Sequence, residues 1–277
     1  MTPSSVYVLL RSTKTSEELD APNEWFYDVE AEELLWFYNS TGPPPATLEI
    51  AATQLEQLIT IKGAGSARGE TGKHVSDVTL RGLKLTGAAM SYLSPHGLPS
   101  DGGGDWALSR TGAVLIEGAE NVLVEGCLFE RIDGNGVMIS GYNRNTSIVD
   151  SEFHLVGENG IVSWGYTADF PDAKRAVPIP FGQGGDASDG NHPKRSQIKG
   201  NIFHEIGHFQ KQVSCYFQAQ SVATQLEGNI CYNGPRAGFS EPPHSFSPLN
   251  ELEVLYCTTE ACAFLQISMM VWVVVTS

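Results

Sequence analysis

Apolar residues in the middle of the chain come in short runs closed by a polar residue. Residues 122–125, 127–130 and 137–140 follow this pattern, with Gly or Asn-Gly between them. Runs of this length bounded by turn residues predict β-strands rather than helices. The pattern then recurs over residues 147–164, 197–207 and 225–234, and a weaker copy over residues 78–85 opens the series. Cys127, Ser151, Asn201 and Asn229 hold equivalent positions, separated by 24, 50 and 28 residues. The 50 is one period plus an insertion. Such units cannot bury both faces alone, but stacked at a strand spacing of ~4.8 Å they form one continuous core. Inward positions are then Val137 and Ile139, Ile161 and Ser163, and Val213 and Cys215. An ordinary β-sandwich is the alternative, but sandwiches do not repeat one motif in register.

This periodicity resembles the right-handed parallel β-helix of the pectin-lyase-like superfamily. In that family an Asn often sits at the tight turn between two strands, where stacked amides hydrogen-bond along the axis. Asn201 and Asn229 match that position, and Cys127 and Ser151 depart from it. The block Glu24-Trp25-Phe26-Tyr27-Asp28 followed by Leu35-Trp36-Phe37-Tyr38 is similar to a module of secreted β-helical carbohydrate-active proteins, glycoside hydrolases among them. The strings Asp105-Trp106-Ala107-Leu108, Asp133-Gly134-Asn135-Gly136 and Asp189-Gly190-Asn191-His192-Pro193 resemble a eukaryotic branch related to those hydrolases. The likeness covers residues 24–239 and places no established catalytic residue on this chain. It implies an all-β fold, an extracellular location and a polysaccharide or other glycan as partner.

Three regions follow. Residues 1–75 form an N-terminal cap with two aromatic strands across an acidic turn, residues 76–240 the right-handed parallel β-helix (solenoid), and residues 241–277 an atypical tail. From Glu241 the repeat stops, which suggests a truncated reading. The tail is expected not to add a regular repeat. Its apolar stretch, 261–275, is 15 residues long, short of the ~20 that a spanning helix needs. No secretory signal is visible at the start.

Composition narrows the functions. The 277 residues carry 17 Lys+Arg against 32 Asp+Glu, a net charge of −15. Nucleic-acid binding depends on cations that neutralise phosphates, so that role is disfavoured, and anionic membrane surfaces with it. Twenty-nine Gly and 15 Pro suit a turn-rich β architecture. The five cysteines show neither a zinc spacing nor a disulfide framework, so Cys127, Cys215 and Cys231 are expected as buried free thiols. Nothing in the chain speaks of an oligomeric state.

Two insertions, about residues 88–110 and 167–195, interrupt the repeats and rise beside one face of the stacked strands. Long loops in a compact domain are usually functional or mobile. On that face alternation points Met138 and Ser140 outward, then Val162 and Trp164, then Ser214 and Tyr216. Trp164 and Tyr216 would form an exposed row suited to stacking on a sugar ring; the plainer reading packs them under a loop. Glycoside hydrolysis needs two carboxyl groups ~5–9.5 Å apart, one protonated and one ionised. Asp105 and Asp189 are the expected catalytic pair. Asp186 is a further loop acid, Glu158 lies in a turn beside the row, and His192 is an acid/base candidate. Trp106, Trp164, Tyr216, Lys211 and Arg236 are the expected substrate contacts. Asp186, Asp189 and Asn191 offer oxygen ligands for Ca²⁺, but the string lacks the alternation of an EF-hand loop, so no metal or cofactor is expected. The reading is therefore a glycoside hydrolase-like protein, inactive if truncated. A non-catalytic glycan-binding or structural solenoid and a polysaccharide lyase are the alternatives.

Overall fold

The computed structural model describes residues 11–12, 16–22, 24–28, 30–38, 42–44, 53–64, 74–97, 108–166, 190–240 and 251–258, the last by backbone alone. Contacts divide the chain into two units, residues 1–52 and 53–277.

In the first unit Glu24–Asp28 pairs antiparallel with Glu33–Trp36, setting Trp25 opposite Trp36 and Tyr27 opposite Leu34. The acidic turn closes because the Asp28 carboxylate accepts the N–H groups of Glu30 and Ala31 at 2.9 and 3.0 Å. Arg11–Ser12 adds a short parallel strand.

The second unit is all-β, built of parallel sheets. Residues 123–125 pair in parallel with 147–149, and 128–132 with 152–156, as the repeat requires. One sheet runs, in sequence order, through Ile59–Lys62, Val114–Glu120, Val137–Arg144, Ile161–Trp164, Ser214–Ala219 and Ala237–Ser240. The other holds two ladders that join at the long strand Gln225–Tyr232. One ladder descends from Thr79–Arg81 and the other from Lys84–Thr86. Between these ladders the chain bends at Gly82, Gly126, Asp150, Gly200 and Gly228, each with a φ between 49° and 65°. A left-handed backbone suits Gly and is tolerated by Asp, which explains the one departure.

At the last four of these bends the next residue, Cys127, Ser151, Asn201 or Asn229, forms the expected column. Asn229 Oδ1 accepts from the backbone N–H and the side-chain amide of Asn201, at 3.1 and 3.0 Å. Asn201 Oδ1 accepts from the Ser151 N–H, and Ser151 Oγ from the Cys127 N–H. These bonds satisfy backbone donors that a bend would otherwise leave buried and unpaired.

Register then builds the core. Phe129, Phe153 and Phe203 stack with centroids 4.5 and 4.7 Å apart, all fully buried. Val124, Ile148, Ile198 and Leu226 form a second inward column.

Two expectations are corrected. Tyr216 pairs with Ile161, and Trp164 with Ala219, three residues away from the expected alignment. The turn between residues 206 and 216 is longer than the repeat suggested, and an odd register change moves a side chain to the other face. Tyr216 therefore points into the core, 1% exposed, with its hydroxyl donating to Gln218 Oε1 at 2.9 Å. Cys215 and Cys231 are joined in a disulfide, leaving Cys127 as a buried free thiol. The two half-cystines are 16 residues apart in sequence and lie on facing sheets, a proximity that spacing does not reveal. In the tail, residues 251–258 add a parallel strand beside Gln225–Tyr232, with register shifts near Asn229.

Removing the central ring of the phenyl stack leaves two others without a partner. Phe153→Ala is expected to cost about 3–5 kcal/mol in urea unfolding, without changing the far-ultraviolet spectrum of the folded protein.

Candidate functional site

The outer face of the first sheet is covered. Leu115, Met138, Val162 and Phe217 form an outward column that packs with Leu108, Trp164 and Ala219 into a second apolar cluster. A small hairpin, His96–Gly97 against Leu108–Ser109, belongs to the first insertion. A Cβ on Gly97 would come within 2.7 Å of the Trp164 ring, so only glycine allows this approach. Trp164 is 4% exposed. The exposed aromatic row is corrected: Trp164 is packed under the first insertion, and Tyr216 lies on the inner face.

The other side of the Trp164 ring carries the guanidinium of Arg110, 3.5 Å from the ring centroid and 4.0 Å from that of Tyr166. Arg110 also donates to Ser140 Oγ and to the carbonyls of Trp164 and Gly165, at 2.8–3.2 Å. Burial draws its pKa down to about 10. Next to it the buried Glu117 carboxylate accepts from Ser140 at 2.7 Å and Tyr166 at 3.1 Å, and pairs with Lys62 at 3.0 Å. Burial raises the Tyr166 pKa. Lys62, Ser140 and Tyr166 thus fix Glu117 in a structural role.

A different carboxyl group sits at the turn that precedes the strand Ile161–Trp164. Glu158 is 0% exposed. Its Oε1 accepts from Ser91 at 3.0 Å and its Oε2 from Ser109 at 3.2 Å. Desolvation pushes its pKa up to about 7, helped by the charge of Glu56 and opposed by the hydrogen bonds. On the adjacent turn Asp133 is half-buried, and desolvation raises it to about 6. The turns are neighbours, since the Glu158 N–H donates to the Gly134 carbonyl at 3.1 Å. Gly134 is the backbone neighbour of Glu158, so Asp133 sits diagonally across from Glu158 on the adjacent turn. Beside them Tyr92 and Phe209 stack with centroids 5.7 Å apart, and Phe209 is 41% exposed. Glu117, by contrast, lies two strands across from Trp164 and at the far end of the strand, too distant to pair with Glu158.

A second amide ladder holds these turns. Asn135 Oδ1 accepts from the backbone and side-chain N–H groups of Asn159, and Asn159 Oδ1 from the Ser214 N–H. The string Asp133-Gly134-Asn135-Gly136 carried this signal. Asp133 itself was read only as part of that string, because burial of a turn carboxyl depends on the segment folded over it.

Asp105, Trp106, Asp186 and Asp189 lie outside the described residues. His192 is 7% exposed; its carbonyl accepts from Arg144 at 2.6 Å. Asn191 Oδ1 accepts from the Tyr142 N–H at 2.9 Å. Lys211 donates to the carbonyls of Gly207 and His208 at 2.6 and 3.1 Å. Arg236 is half-buried, just ahead of the strand Ala237–Ser240. The structure brings Glu158 and Asp133 together and does not join them to His192. Among the described residues no group of three His, Cys, Asp or Glu could hold a metal ion, and no helix is long and apolar enough to cross a membrane.

No family model matches the sequence, and no curated protein is similar to it. A solved structure described as a glycoside hydrolase is similar, with a TM-score of 0.61 and 16% identity. The match covers 82% of this chain and 40% of that one, so this chain spans less than half of that protein's length. The two share an all-β fold of parallel sheets.

Two outcomes test this geometry. Trp164→Ala removes a ring packed on both faces and is expected to lower stability by about 3–5 kcal/mol, read by thermal melting. Glu158 titrates near its ordinary value of 4.5 when unfolded and near 7 when folded. Between those values the folded chain binds more protons, so stability is highest below 4.5 and falls as pH rises through 7. Glu158→Gln is expected to flatten that fall, which amounts to about 3 kcal/mol, in melting curves taken from pH 4.5 to 8.

Proposed function

We propose that the chain is a right-handed parallel β-helix of the pectin-lyase-like kind that acts on a polysaccharide as a glycoside hydrolase. The observation that carries this reading is the pair of proton-retaining carboxyl groups, Glu158 and Asp133, on adjacent turns beside a half-exposed aromatic stack. A carboxyl that keeps its proton near pH 7 can protonate a leaving glycosidic oxygen, which gives Glu158 the role of general acid. Asp133, with the lower proton affinity, is the partner that acts as base or nucleophile. Side chains on adjacent turns can reach the carboxyl separations of ~5–9.5 Å that glycosidases use. The face of Phe209 offers an apolar surface to a sugar ring. The fold likeness to a glycoside hydrolase supports the same substrate class.

Asp105 and Asp189 remain in the proposal as further carboxyls that the two insertions carry, with Trp106 as a sugar contact and His192 as a positioning group for the second insertion. The disulfide Cys215–Cys231 supports an extracellular or otherwise oxidising location. The zero exposure of Glu158 favours a second reading, a glycan-binding solenoid without turnover.

A panel of polysaccharides, assayed for reducing ends and for the absorbance of unsaturated products, separates the readings. Hydrolysis that falls about 100-fold or more in Glu158→Gln, with binding retained, supports the hydrolase. Binding without release of reducing ends supports the second reading, and unsaturated products would make the protein a lyase. Asp133→Asn, Asp105→Asn and Asp189→Asn on the same panel identify the second carboxyl.

A further inference from the structure

We propose that Ser91 and Ser109 are positioning residues whose hydroxyl groups hold Glu158 and fasten the root of the first insertion to it. The inference rests on the reading of Glu158 as the acid, and it concerns what sets that group's proton affinity. Ser91 and Ser109 come from segments on either side of the hairpin's loop, yet both reach one carboxyl group. Each is 1% exposed, and each places its Oγ within 3.2 Å of a different Glu158 oxygen. Their hydroxyls lie 3.1 Å from one another. Asn135 Nδ2 donates to Ser109 Oγ at 3.3 Å, which leaves the Ser109 proton free to point at Ser91 or Glu158. The network therefore runs from the amide ladder, through the hairpin, to the carboxyl group.

Gly134 makes the approach possible. A Cβ there would come within 2.5 Å of Ser91 Oγ, so a side chain would push the serine off the turn. The titratable groups near Glu158 among the described residues are Glu56, Asp133 and His96. Glu56 accepts from Ser94 at 2.8 Å on the segment alongside, Asp133 sits on the adjacent turn, and His96 pairs with Ser109 across the hairpin. Among the described residues no cation is a cause of the Glu158 shift. Burial and Glu56 favour the protonated form, and the hydroxyl donors favour the charged one. The two serines, with a smaller share from Asn135, are thus what keeps the proton exchangeable near neutral pH.

The test reads Glu158 directly. In protein labelled with ¹³C at the glutamate carboxyl carbons, Glu158→Gln assigns the resonance, and its titration is followed in Ser91→Ala, Ser109→Ala and Ser109→Thr. The midpoint is expected to rise by about one unit for each hydroxyl removed and to stay in place in Ser109→Thr, which keeps the donor. On an active protein the alkaline limb of the pH–rate profile moves up by the same amount. A midpoint that does not move, even with a lower melting temperature, overturns the proposal, because a merely structural serine would behave that way. Ser91→Ala, in an irregular segment, keeps the test decidable if Ser109→Ala does not fold. Should the midpoint move while no polysaccharide is cleaved, the positioning role stands and the hydrolase reading falls. Hydrolysis with an unmoved midpoint overturns the positioning role alone.

Discussion

In-register parallel pairing is the constraint on which the rest of the second unit depends. Each strand hydrogen-bonds to the equivalent strand of the next repeat, so a residue type at one position is stacked on its counterparts. Phenylalanines meet phenylalanines, left-handed bends meet left-handed bends, and Asn amides meet the N–H groups of the bend above. The columns are mutually supportive, because shifting any one repeat breaks all of them together. The same constraint makes the fold sensitive to loop length. An insertion costs nothing if the strand after it resumes on the right face, and an odd miscount turns that strand inside out.

Chemistry is consequently confined to the turns. The inner faces of the strands serve the core, and the outer face of the first sheet is roofed by the hairpin and its apolar cluster. At the turns the backbone changes direction, polar side chains are needed to satisfy it, and covering segments exclude water. A carboxyl placed there is desolvated, and among the described residues no cation is paired with it, as at Glu158 and Asp133. Glu117 shows the contrast on the same sheet: it is as buried as Glu158, but Lys62 stands 3.0 Å away. A cation beside a buried carboxyl favours its charged form, and burial without one favours the neutral form.

Two cation–aromatic sandwiches brace the opposite end of the same sheet. Arg110 is held between Trp164 and Tyr166, and Tyr142 between His74 and Arg144, with contacts of 3.5–4.1 Å. Guanidinium groups suit this position because they are weakly hydrated and planar, so they stack while still donating to carbonyls. Arg110 and Ser109 are consecutive, and one tethers the hairpin to Trp164 while the other tethers it to Glu158. The root of the first insertion is thereby fixed at both ends of the strand Ile161–Trp164.

The sequence by itself determined the strands, the parallel stacking and the bend column of Cys127, Ser151, Asn201 and Asn229, because those features repeat locally and a period is visible in one dimension. It also marked the turns at Asp133 and Glu158 by their Gly and Asn neighbours. It did not determine the register across the long turn before Tyr216, since a loop's length does not say where pairing resumes. Nor did it join Cys215 to Cys231, which meet only across facing sheets. Above all, the protonation of a carboxyl depends on what is folded over it. Ser91 and Ser109 reach Glu158 from 67 and 49 residues away, and only the tertiary structure brings those hydroxyls and the burial of the carboxyl to one place.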